Sequence, residues 1–159
     1  MAENPLARVT VEVPGTAEHL GQLHAAIERF WGEVDRALAH PPGEEWRLLF
    51  TTALGEAAAN VVRHAYRGGE VAGALRAELL AFQDRIEARF TDHGVEFEGD
   101  LSMPAPRAAA LLDDLPESGY GLSLIRAAVD ELRYERSSPS GENRWQLLKR
   151  LPAAATPPG

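Results

Sequence analysis

Between residues 7 and 13 apolar and polar positions alternate, with Val9, Val11 and Val13 on one face, and the pattern stops at Pro14-Gly15. A two-residue period closed by a turn pair predicts a half-buried strand. The period then lengthens. Across residues 16–40, Leu20, Leu23, Ile27, Phe30, Val34 and Leu38 recur at three- and four-residue spacing behind Thr16, a predicted N-cap, so a long amphipathic helix is expected. Pro41-Pro42-Gly43 breaks it. Residues 44–66 run on as a second helix, in which Ala53 and Ala57 to Ala59 permit close approach by another element, and Arg67-Gly68-Gly69 ends it.

Residues 73–82 and 84–92 are short, alternating and joined near Gln83-Asp84, which predicts an antiparallel hairpin. From 95 to 121 the pattern dissolves around Pro104, Pro106 and Pro116, and so long a loop in a small domain is expected to be a lid or binding loop. A helix over 121–132 follows, then a strand pair, 132–137 and 143–151, around Ser138-Pro139-Ser140-Gly141. This order predicts an α+β fold, a two-layer α/β sandwich with helices on one face of a mixed, mainly antiparallel sheet. One domain is expected over residues 1–152, with a frayed tail at 153–159.

Composition narrows the function. The chain has 159 residues, 45% hydrophobic and 25% charged, which is ordinary for one globular domain. Its formal charge of −8 repels phosphate backbones and anionic lipid, so direct nucleic-acid binding and membrane association are not expected. The absence of cysteine excludes thiol catalysis, disulfides and thiolate metal sites. With neither a signal-like apolar stretch at the start nor a membrane-length run, a soluble, unprocessed, cytoplasmic protein is expected.

Candidate chemistry concentrates in three places. On the second helix Glu56, Asn60 and His64 are spaced i, i+4, i+8 with Arg63 beside them, so they share a face. That stripe is either a solvated polar face or the equipment of phosphoryl transfer. Mg²⁺ can be held by one carboxamide oxygen plus phosphates and waters, and a carboxylate can deprotonate a hydroxyl. Asp92-His93-Gly94 after a strand is either a turn or an acceptor for an exocyclic amine such as that of adenine, with Gly94 letting backbone approach the ring. Gly119-Tyr120-Gly121-Leu122 before a helix is either a hinge or a set of N–H groups facing phosphate.

Taken in order, these stretches resemble a known family. EAAANVVRHAY is similar to the N-box, TDHGVEF to the first glycine box and SGYGLSLIRAAVDEL to the second glycine box of the GHKL (Bergerat-fold) ATPases. Among these the chain looks most like the bacterial anti-sigma-factor serine/threonine kinases, over roughly residues 7–151. Three boxes in order make a specific signal. The resemblance implies ATP and Mg²⁺ as cofactors, with Asn60 ligating the ion and Glu56 acting as base toward the acceptor hydroxyl. It further implies that Asp92 reads the adenine amine above Gly94, that Arg63 and His64 lie near the phosphates, and that Gly119, Tyr120, Gly121 and Leu122 close the lid end. Implied partners are a sigma factor, which such proteins sequester, and a STAS-type antagonist, which they phosphorylate. A homodimer is implied as well.

Two positions depart from the family pattern. Glu96 stands where the first glycine box usually has its second glycine, and the threonine often found on the final strand pair has no clear counterpart in ENRWQLLKR. These departures keep open a non-catalytic module of the same fold that regulates partners by docking, and an orphan ATPase fragment behind it. His19, His24 and His40 are read as surface residues, and Trp31, Trp46 and Trp145 as core or interface packing rather than a stacking platform.

Overall fold

The computed structural model describes residues 3–99, 101 and 120–153. Among these residues five strands form one sheet in the order β1-β2-β3-β5-β4: β1 (Ala7–Pro14), β2 (Ala74–Ala81), β3 (Arg85–Asp92), β4 (Glu131–Ser137) and β5 (Glu142–Arg150). All four pairings are antiparallel, so the parallel component expected of a mixed sheet is not found among the described residues. Among the described residues three helices, α1 (Leu20–Ala37), α2 (Glu44–Asn60) and α3 (Tyr120–Ala128), complete the α+β fold.

Strand alternation determines which side chains meet the helices. Leu75, Ala77 and Leu79 of β2, with Ile86, Ala88 and Phe90 of β3, are fully buried in one core with Leu23, Ile27 and Phe30 of α1 and Phe50, Ala53, Leu54 and Ala58 of α2. The opposite sheet face is polar. There Glu87 is buried but fully partnered, by Arg85 at 2.8 Å, Arg89 at 3.0 Å and Gln146 at 3.2 Å. The alanines of α2 allow the close approach they foretold, because α3 packs along that helix and buries Ile125 and Ala128.

The helix limits differ from the spacing in three instructive ways. α1 is shorter than 16–40: the Thr16 hydroxyl bonds the His19 ring at 2.6 Å instead of a backbone N–H, the first turn is a 3₁₀ turn over Ala17–His19, and Leu38 is already extended. The second helix is regular only to Asn60. Residues Val61–Ala65 then form a wide π turn, closed by Tyr66 N–H donating to the Val61 carbonyl at 3.1 Å. α3 stops at Ala128 because Asp130 is claimed by β5, its N–H donating to Leu148 O and its Oδ2 accepting from Arg150 N–H. Of the expected lid, residues 100 and 102–119 lie outside the described residues, as does the tail from 154 on.

Tyr66 ties the sheet ends together. It is fully buried; its hydroxyl donates to Ala74 O at 2.6 Å and accepts from His93 N–H at 3.0 Å. Burial raises its pKa. Its ring lies so close to Gly73 and Gly15 that a Cβ at either would stand 2.3 Å from a ring carbon. Gly73→Ala is therefore expected to lower unfolding stability by about 1–3 kcal/mol through overpacking. Gly21→Ala, on α1 with nothing within 4 Å, is expected to raise it by about 0.5–1 kcal/mol through helix propensity. Urea denaturation of the two variants reads the opposite signs.

Candidate functional site

Where the wide turn of α2 faces the ends of β3 and β5, the chain leaves a cavity of about 450 Å³, a size typical of small-molecule sites. Asn60, His64, Asp92 and Leu122 all line it. Three stretches far apart in sequence thus meet at one hollow. The π turn contributes by adding a residue to the helix: Asn60, Val61, His64 and Ala65 face the cavity, whereas Arg63 does not line it.

Asp92 is the most constrained group there. It is fully buried at the end of β3, and its Oδ1 accepts from Gly94 N–H at 2.9 Å and from Asn143 Nδ2 at 2.7 Å. Oδ2 has no hydrogen-bond partner among the described residues. Burial raises the Asp92 pKa above its ordinary 3.8, opposed by Asn143, the Gly94 N–H and the nearby charges of His93 and Arg136. A buried carboxylate oxygen without a donor, on a residue that lines a cavity, fits a ligand N–H.

Sequence reasoning missed the groups that hold this carboxylate. Asn143 is buried opposite Asp92 in the β3/β5 register. Its Oδ1 accepts from the Tyr134 hydroxyl at 2.6 Å and from Arg136 Nη1 at 2.8 Å. Nothing local in ENRWQLLKR marks it, because finding it required knowing which strand lies beside β3. Trp145 packs against the core as expected and, with Phe97 and Tyr134, also forms an aromatic cavity wall, ring centroids 4.6–5.5 Å apart. Trp31 and Trp46 do pack as expected, against each other and Phe50.

The remaining site residues fall as follows. Glu56 lies one turn before Asn60, and neither it nor Arg63 lines the cavity. Arg63 bridges the two, with Nη2 2.9 Å from Asn60 Oδ1 and 3.9 Å from a Glu56 oxygen. Gly94 is bare because the helix approaches it: a Cβ would stand 2.3 Å from the Ala65 carbonyl oxygen. Glu96 is exposed but lines the cavity, so the departure from the glycine box puts a carboxylate at its mouth. Tyr120 and Gly121 begin α3, whose first turn brings Leu122 to the cavity, and Gly119 lies outside the described residues. No cluster of three acidic or imidazole side chains able to hold a metal occurs among the described residues. An ion needing one protein oxygen and keeping its waters, as Mg²⁺ does, fits Asn60, whose carboxamide oxygen retains a second lone pair beside Arg63.

A layered sandwich with a cavity between helix and sheet ends defines a class. The chain belongs to the histidine kinase-like ATPase domain family, whose profile matches residues 14–144. It is 26% identical over 137 residues to the serine-protein kinase RsbW of Bacillus cereus strain AH187, covering 79% of this chain and 76% of that protein. The match to the same-named kinase of Bacillus mycoides strain KBAB4 is 26% over 135 residues, with equal coverage. The fold is shared with the crystal structure of the RsbU and RsbW domains of Rv1364c from Mycobacterium tuberculosis, at a TM-score of 0.58 and 17% identity. That alignment covers 94% of this chain and only 34% of the other. The resemblance to the anti-sigma kinase branch of the GHKL ATPases is thereby borne out.

Asp92→Asn separates stability from binding. At neutral pH the substitution removes the cost of a buried charge while its side-chain oxygen can still accept from Asn143 and Gly94. It is expected to raise unfolding stability by about 1 kcal/mol. Because the folded-state pKa of Asp92 is raised, wild type regains stability relative to the variant as pH falls, and the gap closes toward pH 4. Denaturation curves of both proteins from pH 7 to pH 4 check this.

Proposed function

We propose that the protein is an ATP- and Mg²⁺-dependent serine/threonine protein kinase of a partner-switching system, which also sequesters a sigma factor and phosphorylates a STAS-type antagonist. The observation that carries this reading is convergence: Asn60, Asp92 and Leu122, one from each motif, line a single cavity. Asp92 Oδ2 accepts the adenine amine, and the aromatic wall of Phe97, Tyr134 and Trp145 gives the base an apolar surface. When bound, Mg²⁺ supplies neutralisation of triphosphate charge. Asn60 holds the ion's side of the ligand, and His64 and the start of α3, with Leu122, face the phosphates. Glu56 takes the proton of the acceptor hydroxyl, and Arg63 positions it through the contact bridging Glu56 and Asn60. Phosphoryl transfer asks mainly for such positioning and electrostatics.

Among the described residues no helix is long and apolar enough to cross a membrane, and a cytoplasmic location is part of the proposed reading. The resemblance also carries a homodimer into this reading, which light scattering on the purified protein measures directly.

Glu96 at the cavity mouth and Arg63 on the Asn60 oxygen favour a second reading, a docking module of the same fold with little nucleotide affinity. One experiment separates them. With labelled ATP, Mg²⁺ and the cognate STAS protein, label is expected on the partner. Glu56→Ala is expected to cut transfer by at least about a hundredfold while ATP binding persists, and Asn60→Ala to abolish Mg-ATP binding. Absence of label, with Glu56→Ala indistinguishable from wild type, leaves the docking module.

A further inference from the structure

The carboxamide of Asn143 has only one possible orientation. Its oxygen must face Arg136, which has donors and no acceptor, and it also accepts the Tyr134 hydroxyl. Its nitrogen is thereby turned to Asp92 Oδ1 at 2.7 Å and to the carbonyls of Gly94 at 3.2 Å and Val95 at 3.3 Å. Every donor and acceptor of Asn143 is thus engaged within the protein, and the residue is 1% exposed. Tyr134 is held in turn, its hydroxyl accepting from Phe97 N–H at 3.1 Å.

We propose that Asn143 is the positioning residue for base selectivity: by fixing Oδ1 of Asp92 from the neighbouring strand, it leaves Oδ2 as the single acceptor presented to the ligand. The Tyr134 hydroxyl and Arg136 hold the carboxamide in that orientation. This inference rests on the nucleotide-binding reading and deepens it. Asn143 does not touch the base. It acts through Asp92, and because an ionised carboxylate only accepts, the ligand must bring an N–H to Oδ2. A purine with an amine at that point is accepted, and one with a carbonyl there is repelled. A carboxamide buttress from β5, supported by β4, thus organises the pocket around Asp92.

Calorimetry with Mg-ATP and Mg-ITP, which carries a carbonyl in place of the amine, tests the role. Wild type is expected to prefer ATP by at least about tenfold, since a site built for a donor rejects an analogue lacking it. Asn143→Ala is expected to weaken ATP binding about tenfold and leave ITP binding unchanged, so that the preference collapses. Tyr134→Phe keeps the ring in the aromatic wall and removes only the hydroxyl. It is expected to reduce the preference about threefold in the same direction, which guards against a folding defect in Asn143→Ala. Parallel losses for both nucleotides, or a preference that survives both variants, overturn the positioning role alone. If wild type binds neither nucleotide, the nucleotide-binding reading falls and this inference with it.

Discussion

A carboxylate removed from water needs donors at both oxygens, and Asp92 has them at one. Much of the architecture around the cavity bears on that one group. Antiparallel pairing of β3 and β5 sets Asn143 opposite it, and the tight passage of Gly94 under Ala65 delivers a second donor. Arg136 and Tyr134, on β4, secure Asn143. The aspartate works against folding stability in the protein alone, as groups kept for binding commonly do.

The helix side is adjusted to the same end. The helix is regular to Asn60 and widens over Val61–Ala65, and Asn60 and His64, one on each side of that change, both line the cavity. Tyr66 closes that turn and is locked between Gly15 and Gly73, with its hydroxyl on Ala74 and His93. One side chain thus connects the exit of α2 to the ends of β1, β2 and β3. The position of Asp92 relative to Asn60 depends on it.

The elements with strong periodicity were legible from sequence. Val9, Val11 and Val13, the α1 stripe from Leu20 to Leu38, and the alternating hairpin gave strand and helix identities that the fold retains. What periodicity could not supply was the non-local pairing. The placement of β5 between β3 and β4 is a property of the sheet, so Asn143 and the cavity-facing Trp145 had no local signature. The wide turn was hidden for a related reason: VVRHA carries no Gly or Pro to mark it, and Tyr66, whose N–H closes it on the Val61 carbonyl, is held by contacts distant in sequence. Asn60, His64, Asp92 and Leu122 were found because motif order is encoded locally, and the fold brings them to one hollow. Glu56 and Arg63 share the helix face but stand off the cavity, as a spacing rule cannot distinguish lining from flanking.

The central claim is that Asp92 and the aromatic wall together grip an adenine base, and Trp145 offers a direct view of it. In a Trp31→Phe, Trp46→Phe background Trp145 is the single tryptophan, and its ring lines the cavity. Titration with Mg-ATP is expected to change its emission saturably, and the change is expected to vanish when Asp92 is also replaced by Asn. Emission that stays flat to millimolar Mg-ATP, or that saturates equally without the carboxylate, contradicts the assignment of this hollow as the base pocket.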